Sequence, residues 1–354
     1  MSGKRGSIAI IEFSDSHHEC IYSQILFLKE QYNIYLICNE KLRNFVCHFD
    51  NVEGFFFLSG DDMLSQAKSI LADKRIGKVI LNTASGREVL KFVYMCLFMN
   101  VRFYGVQHNI YRFLHVGLQS FINFRMSGYF VLADYIHSNI PSSFRIPAVP
   151  FYPSCFKLEG LSSVSKPDDE FWVVIPGGVN FKRRNFFELI EGFMNELPAP
   201  NVKFVILGRV ARENKDFMAF KTELKNLGLY DRFVFFEKYI PNELFYSYIN
   251  QADLILPLIN TNVTGRHFNY TTYQVSGTFN LSWGFKRPML LEDYYKKHEP
   301  FASCSFFYTK HHIAKALNRL AAERSLLDEK RRCIEECELL SFDFQQERFL
   351  SMLR

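Results

Sequence analysis

Apolar runs of strand length alternate with segments of helical spacing along most of the chain, and the breaks between them are rich in glycine, proline and polar residues. Residues 7–13 (SIAIIEF) read as a first buried strand. A polar loop from Ser14 to Glu19 follows, then a helix over 22–29 and a second strand over 34–38. Further strands are predicted at 54–58, 78–82, 101–107 and 128–132. The most apolar segment, 89–101, carries Lys91 and is shorter than the roughly 20 residues of a membrane span, so it reads as a buried helix. A helix is expected over 110–126, mixing Tyr111, Arg112, Phe113, His115, Phe121, Phe124 and Arg125; such a helix either packs on a core or lies on a membrane surface. This order of elements is that of a parallel α/β sheet.

Pro141, Pro147, Pro150 and Pro153 mark an extended exit from this first half, and the breaker-rich stretch LEGLSSVSKPDD reads as a linker. The second half repeats the alternation, with strands at 171–175, 202–207, 233–236, 252–257 and 289–291. Helices are expected over 185–197, 217–227, 241–250 and 278–285, the last led into by residues 273–277. From Lys310 the chain is largely helical, and 335–354 has apolar residues at helical spacing that need a surface to pack on. The predicted architecture is therefore α/β in two domains, 1–157 and 171–334, joined by a linker at 158–170.

Composition narrows the function. A chain of 354 residues that is 48% hydrophobic and 22% charged is a globular protein with sizeable cores, and its 38 phenylalanines make those cores aromatic. The net charge of +5 suits anionic substrates or an anionic membrane face but is too weak to imply nucleic acid, for which no motif is present either. The eight cysteines form no CxxC pair, as expected of a reducing cytoplasm; Cys333 and Cys337 share a helical face but lack the further ligands a zinc site needs. The start, MSGKRGSIAIIEF, has no signal-peptide pattern.

One stretch concentrates candidate chemistry. In FWVVIPGGVNFKRRNFFELIEGF (171–193) a buried strand ends at Gly177-Gly178, a basic cluster of Lys182, Arg183 and Arg184 follows, and an amphipathic helix begins. Backbone N–H groups at such a turn, with three cations beside them, form a site for phosphate or diphosphate. The same pattern also fits an ordinary strand-to-helix connection with a solvated basic face. In parallel sheets ligands sit beyond the carboxyl ends of the strands. That places His17 and His18, after the first strand, and His108, in Gln107-His108-Asn109, among the candidates; surface or helix-capping histidines are the alternative.

Four ordered blocks carry a family resemblance: PGGVNFKRRNFFELIEGF, VKFVILGRV, DRFVFFEKYIPNELFYSYINQADLILPLI and VSGTFNLSWGFKRPMLL. Together they resemble the carboxyl-terminal half of GT-B glycosyltransferases, in particular the large retaining family that uses nucleotide sugars. The first half matches only in layout. The resemblance implies two Rossmann-like domains facing across a cleft, with the donor on the second and the acceptor on the first. It also implies that the terminal helix, 335–354, crosses back to the first domain.

By this resemblance Arg184 takes the place of the usual diphosphate-contacting lysine and Asn185 that of the usual glycine, while Gly178 stands where many members have arginine, so that Lys182 or Arg183 takes over some contact. Ser276-Gly277-Thr278 opens a helix aimed at the same diphosphate, although Ser and Thr are also plain N-caps. Tyr239, within 238–240, borders the nucleotide base, and Asn280 contacts the ribose. One departure stands out: no glutamate occurs between Glu243 and Glu292, and Tyr273 and Leu281 fall where the family's paired glutamates belong.

The resemblance implies sugar transfer from a nucleotide-diphosphate sugar to a glycan or lipid-linked acceptor, with retention, in bacterial cell-surface polysaccharide synthesis. His108 and His17 would lie near the reacting carbon and acceptor hydroxyl. No metal or other cofactor is expected, and the chain lacks an Asp-x-Asp triplet. The implied location is cytoplasmic, peripheral to the inner face of the membrane. A noncatalytic sugar-nucleotide or glycan-binding protein and a sugar-nucleotide 2-epimerase remain as alternatives; the latter needs acid/base carboxylates.

Overall fold

The structure, a computed structural model, describes residues 6–113, 117–158, 160–210, 214–263 and 269–354. The chain divides into two compact units: Met1–Lys157 with Thr271–Val275 and Phe342–Arg354, and Leu158–Tyr270 with Ser276–Ser341.

The first unit holds β1 (Ser7–Glu12), β2 (Asn33–Asn39), β3 (Gly54–Leu58), β4 (Lys78–Leu81), β5 (Arg102–Gln107), β6 (Met126–Val131) and β7 (Ala148–Pro150). They pair in the order β3-β2-β1-β4-β5-β6-β7, all parallel. Both faces are covered, which is why the strands read as continuous apolar runs and not as alternation. Ile8 and Ile10 pack toward the helices Ile21–Leu28 and Phe342–Ser351, whereas Ala9 and Ile11 pack toward Met63–Asp73 and Arg87–Met95. The terminal helix anchors through Phe349, which stacks on Phe130 with ring centroids 4.1 Å apart and meets the edge of Phe151.

The second unit holds β8 (Phe171–Pro176), β9 (Val202–Arg209), β10 (Phe233–Phe236), β11 (Leu254–Ile255), β12 (Met289–Glu292) and β13 (Ser305–Tyr308), in the order β10-β9-β8-β11-β12-β13, again all parallel. One of its faces is an aromatic core in which Phe193, Phe204, Phe220 and Phe233 meet beneath the helices Phe186–Asn195 and Lys215–Asn226.

Several expectations differ. The buried helix expected over 89–101 is Arg87–Met95, buried on the face of Val89, Phe92 and Val93, while Tyr94, Met95, Leu97 and Phe98 are exposed; the exit marked by prolines holds the short strand β7. The helix expected over 110–126 is a 3-10 turn, Ile110–Phe113, and a separate helix, Leu118–Asn123, capped by Gly117 in an extended conformation; His115 lies outside the described residues. The helix expected over 335–354 is broken as well: Ser325–Glu336 ends at Cys337, whose ψ of 110° is extended, and a new helix starts at Phe342. β13 was not foreseen, because Ser305–Tyr308 is a short aromatic run. Finally, Thr271–Val275 groups with the first unit, not the second. Gln274 bridges to Asn109, the Ile110 N–H donates to Tyr273 O at 3.0 Å, and the Tyr135 hydroxyl donates to Gln274 O at 3.1 Å.

Candidate functional site

In each sheet the strand order reverses at one point: β1 lies between β2 and β4, and β8 lies between β9 and β11. Outside the carboxyl ends of the strands at such a switch point the connections diverge, leaving a crevice. Both units fill that crevice with polar side chains.

In the second unit the side chain is Arg184. Helix Phe186–Asn195 starts two residues later, and a short antiparallel bridge from Arg184 to Ile259 fixes its backbone beside the exit of β11. The guanidinium donates to Pro176 O at the end of β8 and to Pro257 O just past β11, so it spans the switch point. Its Nη2 also donates to Thr278 Oγ1 at 3.2 Å. Thr278 is in the first turn of helix Gly277–Gly284, whose N-cap Ser276 accepts from the Thr278 N–H through its hydroxyl. The structure thus joins the expected residues Arg184, Ser276, Gly277 and Thr278 in one cluster within this unit.

The electrostatics of that cluster are one-sided. Arg184 is 8% exposed, and no carboxylate is among its hydrogen-bond partners in the described residues. Burial pulls its pKa down to about 10, opposed by Tyr270 and reinforced by Arg183, so it stays charged at neutral pH. A guanidinium has five donors. Nε–H and one Nη1–H remain without a protein acceptor among the described residues. A buried cation of this kind favours an anion.

The glycines have a different role from the expected one. Gly177 does not offer a free N–H to a ligand, because it continues the ladder by donating to Leu207 O at 2.9 Å. Its φ of 97° needs glycine, and a Cβ there would come within 2.8 Å of Arg184 Nη2. Gly208 is excluded from carrying a side chain still more firmly, since a Cβ would meet Gly177 O at 2.1 Å. Gly177 therefore makes room for Arg184, while a Cβ on Gly178 would meet open space. Lys182 and Arg183 are exposed on a turn held by Asn180, whose Oδ1 accepts from both of their N–H groups at 2.9 and 3.1 Å. Tyr239, past the end of β10, is 60% exposed, and Asn280 is buried with no partner for its Oδ1.

A carboxyl that sequence reasoning missed lies one turn into the helix that follows Arg184. Glu188 is buried, accepts from Asn185 Nδ2 at 3.1 Å, and has its pKa raised to about 7 by burial, with Glu292 and Glu191 adding to the effect. Ionising it costs the folded state, and that cost is absent below its unfolded pKa and complete above pH 7. Glu188→Gln should therefore stabilise the protein by about 1–3 kcal/mol at pH 8 and be neutral near pH 4, as measured by urea denaturation at the two pH values.

In the first unit the crevice holds Glu12, Asn82 and His108, at or just past the ends of β1, β4 and β5. Glu12 is buried and accepts from Asn82 Nδ2 at 2.8 Å, Thr83 Oγ1 at 2.6 Å and Ser14 N–H at 2.8 Å. Asn82 also donates to His17 O at 2.9 Å and accepts from Gln24 at 2.6 Å. The His108 ring stacks on His17, with centroids 3.7 Å apart, and Nε2 bonds to Asn82 O at 2.7 Å. A carbonyl only accepts, so Nε2 carries the proton and Nδ1 is the basic nitrogen. Burial, with His17 adding to it, draws the His108 pKa down to about 3. His17 reaches this position through a left-handed φ of 63°, and its Nδ1 lies 3.5 Å from Glu19. His18 instead stacks on Phe45. Both expected histidines thus meet; Glu12 and Asn82 were missed, although a lone acid closing an apolar strand is a visible signal.

Among the described residues no group of three or more His, Cys, Asp or Glu side chains could hold a metal ion.

No protein-family model matches the chain, and no curated protein matches it. Solved structures do. The Anabaena protein Alr3699/HepE, in complex with UDP, superposes with a TM-score of 0.69 at 10% identity over 98% of this chain and 99% of that one. A glycosyltransferase from Rickettsia africae gives the same TM-score, identity and coverage. The UDP-GlcNAc 2-epimerase of Neisseria meningitidis, bound to UDP-GlcNAc, follows at 0.59 and 11%, covering 98% and 99%. The two parallel sheets and these likenesses show that the chain has the GT-B fold.

Proposed function

We propose that this protein is a glycosyltransferase that moves a sugar from a nucleotide-diphosphate sugar to a glycan or lipid-linked acceptor. The observation that carries the reading is Arg184, a buried cation without an acidic partner among the described residues, tied to Thr278 at the start of a helix. Its free N–H groups receive the diphosphate, and the first turn of helix Gly277–Gly284 adds favourable N–H dipoles. Lys182 and Arg183 follow the diphosphate from the exposed turn, Tyr239 borders the base and Asn280 Oδ1 accepts from the ribose. Such donors stabilise the leaving diphosphate by fixed charge, so that no metal is required. On the acceptor side His108 accepts a hydrogen bond from the acceptor hydroxyl on Nδ1 and so orients it, held in that tautomer by Asn82 O and stacked by His17. Retention, a role in bacterial cell-surface polysaccharide synthesis and a cytoplasmic location complete the reading.

Two assays separate the alternatives. Incubation with UDP-, GDP-, ADP- and CMP-linked sugars, with and without glycan acceptors, should give transfer that depends on the acceptor. An epimerised donor formed without any acceptor would indicate the epimerase reaction that one structural neighbour carries out. Binding without turnover across the panel would indicate a noncatalytic protein.

The reading includes contact with an anionic membrane. Phe98, Phe121 and Phe124 are 98%, 60% and 84% exposed, alongside Tyr94, Met95, Leu97 and Leu118. The Tyr94 hydroxyl donates to Phe121 O, which ties together the helices Arg87–Met95 and Leu118–Asn123 that carry or immediately precede these residues. Residues 87–127 contain five cations (Arg87, Lys91, Arg102, Arg112, Arg125) against Glu88 alone, or 5 − 1 = +4. Exposed aromatics on a segment of net positive charge suit the headgroup region of an anionic bilayer. Among the described residues no helix is long and apolar enough to cross a membrane. Phosphatidylglycerol vesicles should sediment the protein, and Phe98→Ser with Phe124→Ser should weaken that binding by at least about tenfold. Sedimentation unchanged by the double substitution would remove the patch from the account.

A further inference from the structure

Three of the eight cysteines come together in the second unit, away from the carboxyl ends of its strands. Cys304 closes the short helix Phe301–Cys304 just before β13, and Cys333 and Cys337 come from the helix Ser325–Glu336 and the residue after it. The buried Cys304 thiol donates to Cys333 O at 3.5 Å, which sets it at the last turn of that helix, and it also interacts with the Cys337 sulfur. The expected helical face does not include Cys337, because the helix ends at Glu336 and Cys337 is extended. The chain then turns so that the backbone N–H groups of Leu339 and Leu340 also reach the Cys337 sulfur. Cys337 is partly exposed.

This is the arrangement of a reactive thiol beside a resolving one: a partly exposed cysteine at a helix end, facing the amides of the next turn and backed by a buried cysteine. We infer that Cys337 and Cys304 form a reversible, peroxide-responsive dithiol/disulfide pair. The Cys337 thiolate attacks one peroxide oxygen, giving a sulfenic acid and releasing the other oxygen as water. The Cys304 thiol then attacks the sulfenic sulfur, the S–O bond breaks, and a second water leaves. Two thiols are oxidised by two electrons to one disulfide, and one peroxide is reduced to two waters. A small dithiol reverses the step by exchange.

The electrostatics agree with these roles. Hydrogen bonding from Cys304 lowers the Cys337 pKa to about 7 against burial, with the amides of Leu340 and Leu339 helping, whereas the same bond and burial push Cys304 up. The location gives the pair a use. Cys337 precedes Phe342, the residue at which the chain returns to the first unit, so the disulfide would pin the end of this segment to β13's leading helix.

The test uses the full chain. At pH 7 limiting iodoacetamide should label Cys337 at least about fivefold faster than Cys47, the exposed cysteine of the first unit. One equivalent of hydrogen peroxide, followed by thiol blocking, digestion and mass spectrometry, should yield a Cys304–Cys337 linked peptide that dithiothreitol dissolves. Cys333→Ser should leave the link intact, and Cys337→Ser, at the partly exposed position, should abolish it without loss of the folded state. Labelling of Cys337 no faster than Cys47, or a link that maps to Cys333, would overturn the proposal.

Discussion

Arg184→Ala is expected to lower kcat/KM for sugar transfer by about 10²–10³-fold, the usual loss when a fixed donor to a developing anion is removed. The variant removes the guanidinium from Pro176 O, which keeps the Thr278 hydroxyl at 3.4 Å, and from Pro257 O just past β11. A stability loss of about 1–3 kcal/mol should accompany the kinetic one, because a buried carbonyl that loses its guanidinium donor is costly. Arg184→Lys separates the two effects. It keeps the charge but cannot span both carbonyls and Thr278, so it should recover part of the nucleotide affinity while remaining less stable than the wild type. Full activity in Arg184→Ala, at unchanged nucleotide affinity, would remove Arg184 from the donor site.

His108→Ala should reduce kcat by about 10²-fold with little change in donor affinity, as expected for loss of a neutral group that orients the acceptor hydroxyl. The pH dependence follows from its environment. With the pKa held near 3 by burial and His17, His108 stays neutral through the physiological range and should give no inflection in the rate profile between pH 5 and 8. A depressed folded pKa contributes stability that is present above the unfolded value of about 6.5 and is lost as pH falls from there toward the folded value. The wild type should therefore lose stability on acidification through that window, and His108→Ala should flatten the slope. Denaturant melts between pH 4 and 8 measure it.

Much of the fold was legible because both sheets are parallel and covered on both faces, which writes each strand as an apolar run such as SIAIIEF or FWVVIP. The elements that escaped are those whose ends depend on backbone conformation. Gly117 splits the aromatic helix, and extended Cys337 splits the terminal one, with no periodicity lost on either side. The assignment of Thr271–Val275 to the first unit rests on backbone bonds to Asn109 and Ile110, which no local pattern announces.

The site was legible in part for the same reason. Residue type singled out Arg184 and Thr278, but only the fold shows that the arginine is buried and holds the carbonyls of two strands. The Gly177-Gly178 pattern is that of an anion-binding turn, whereas Gly177 in the fold accommodates the guanidinium and completes a strand ladder. His17 and His108 were each marked by their place after a strand. The buried Glu12 and Asn82 that bridge β1 and β4 beneath them are polar partners that only tertiary structure pairs.

The central claim is that the second unit binds a nucleoside diphosphate through Arg184, and thermal denaturation of the full chain tests it most directly. A ligand that binds only the folded state at 100 times its Kd adds about 2.7 kcal/mol of stability. The account predicts a rise in melting temperature of several degrees with one of UDP, GDP or ADP, a smaller rise with the matching monophosphate, and neither rise in Arg184→Ala. An equal rise in wild type and Arg184→Ala, or none with any nucleoside diphosphate, would contradict it.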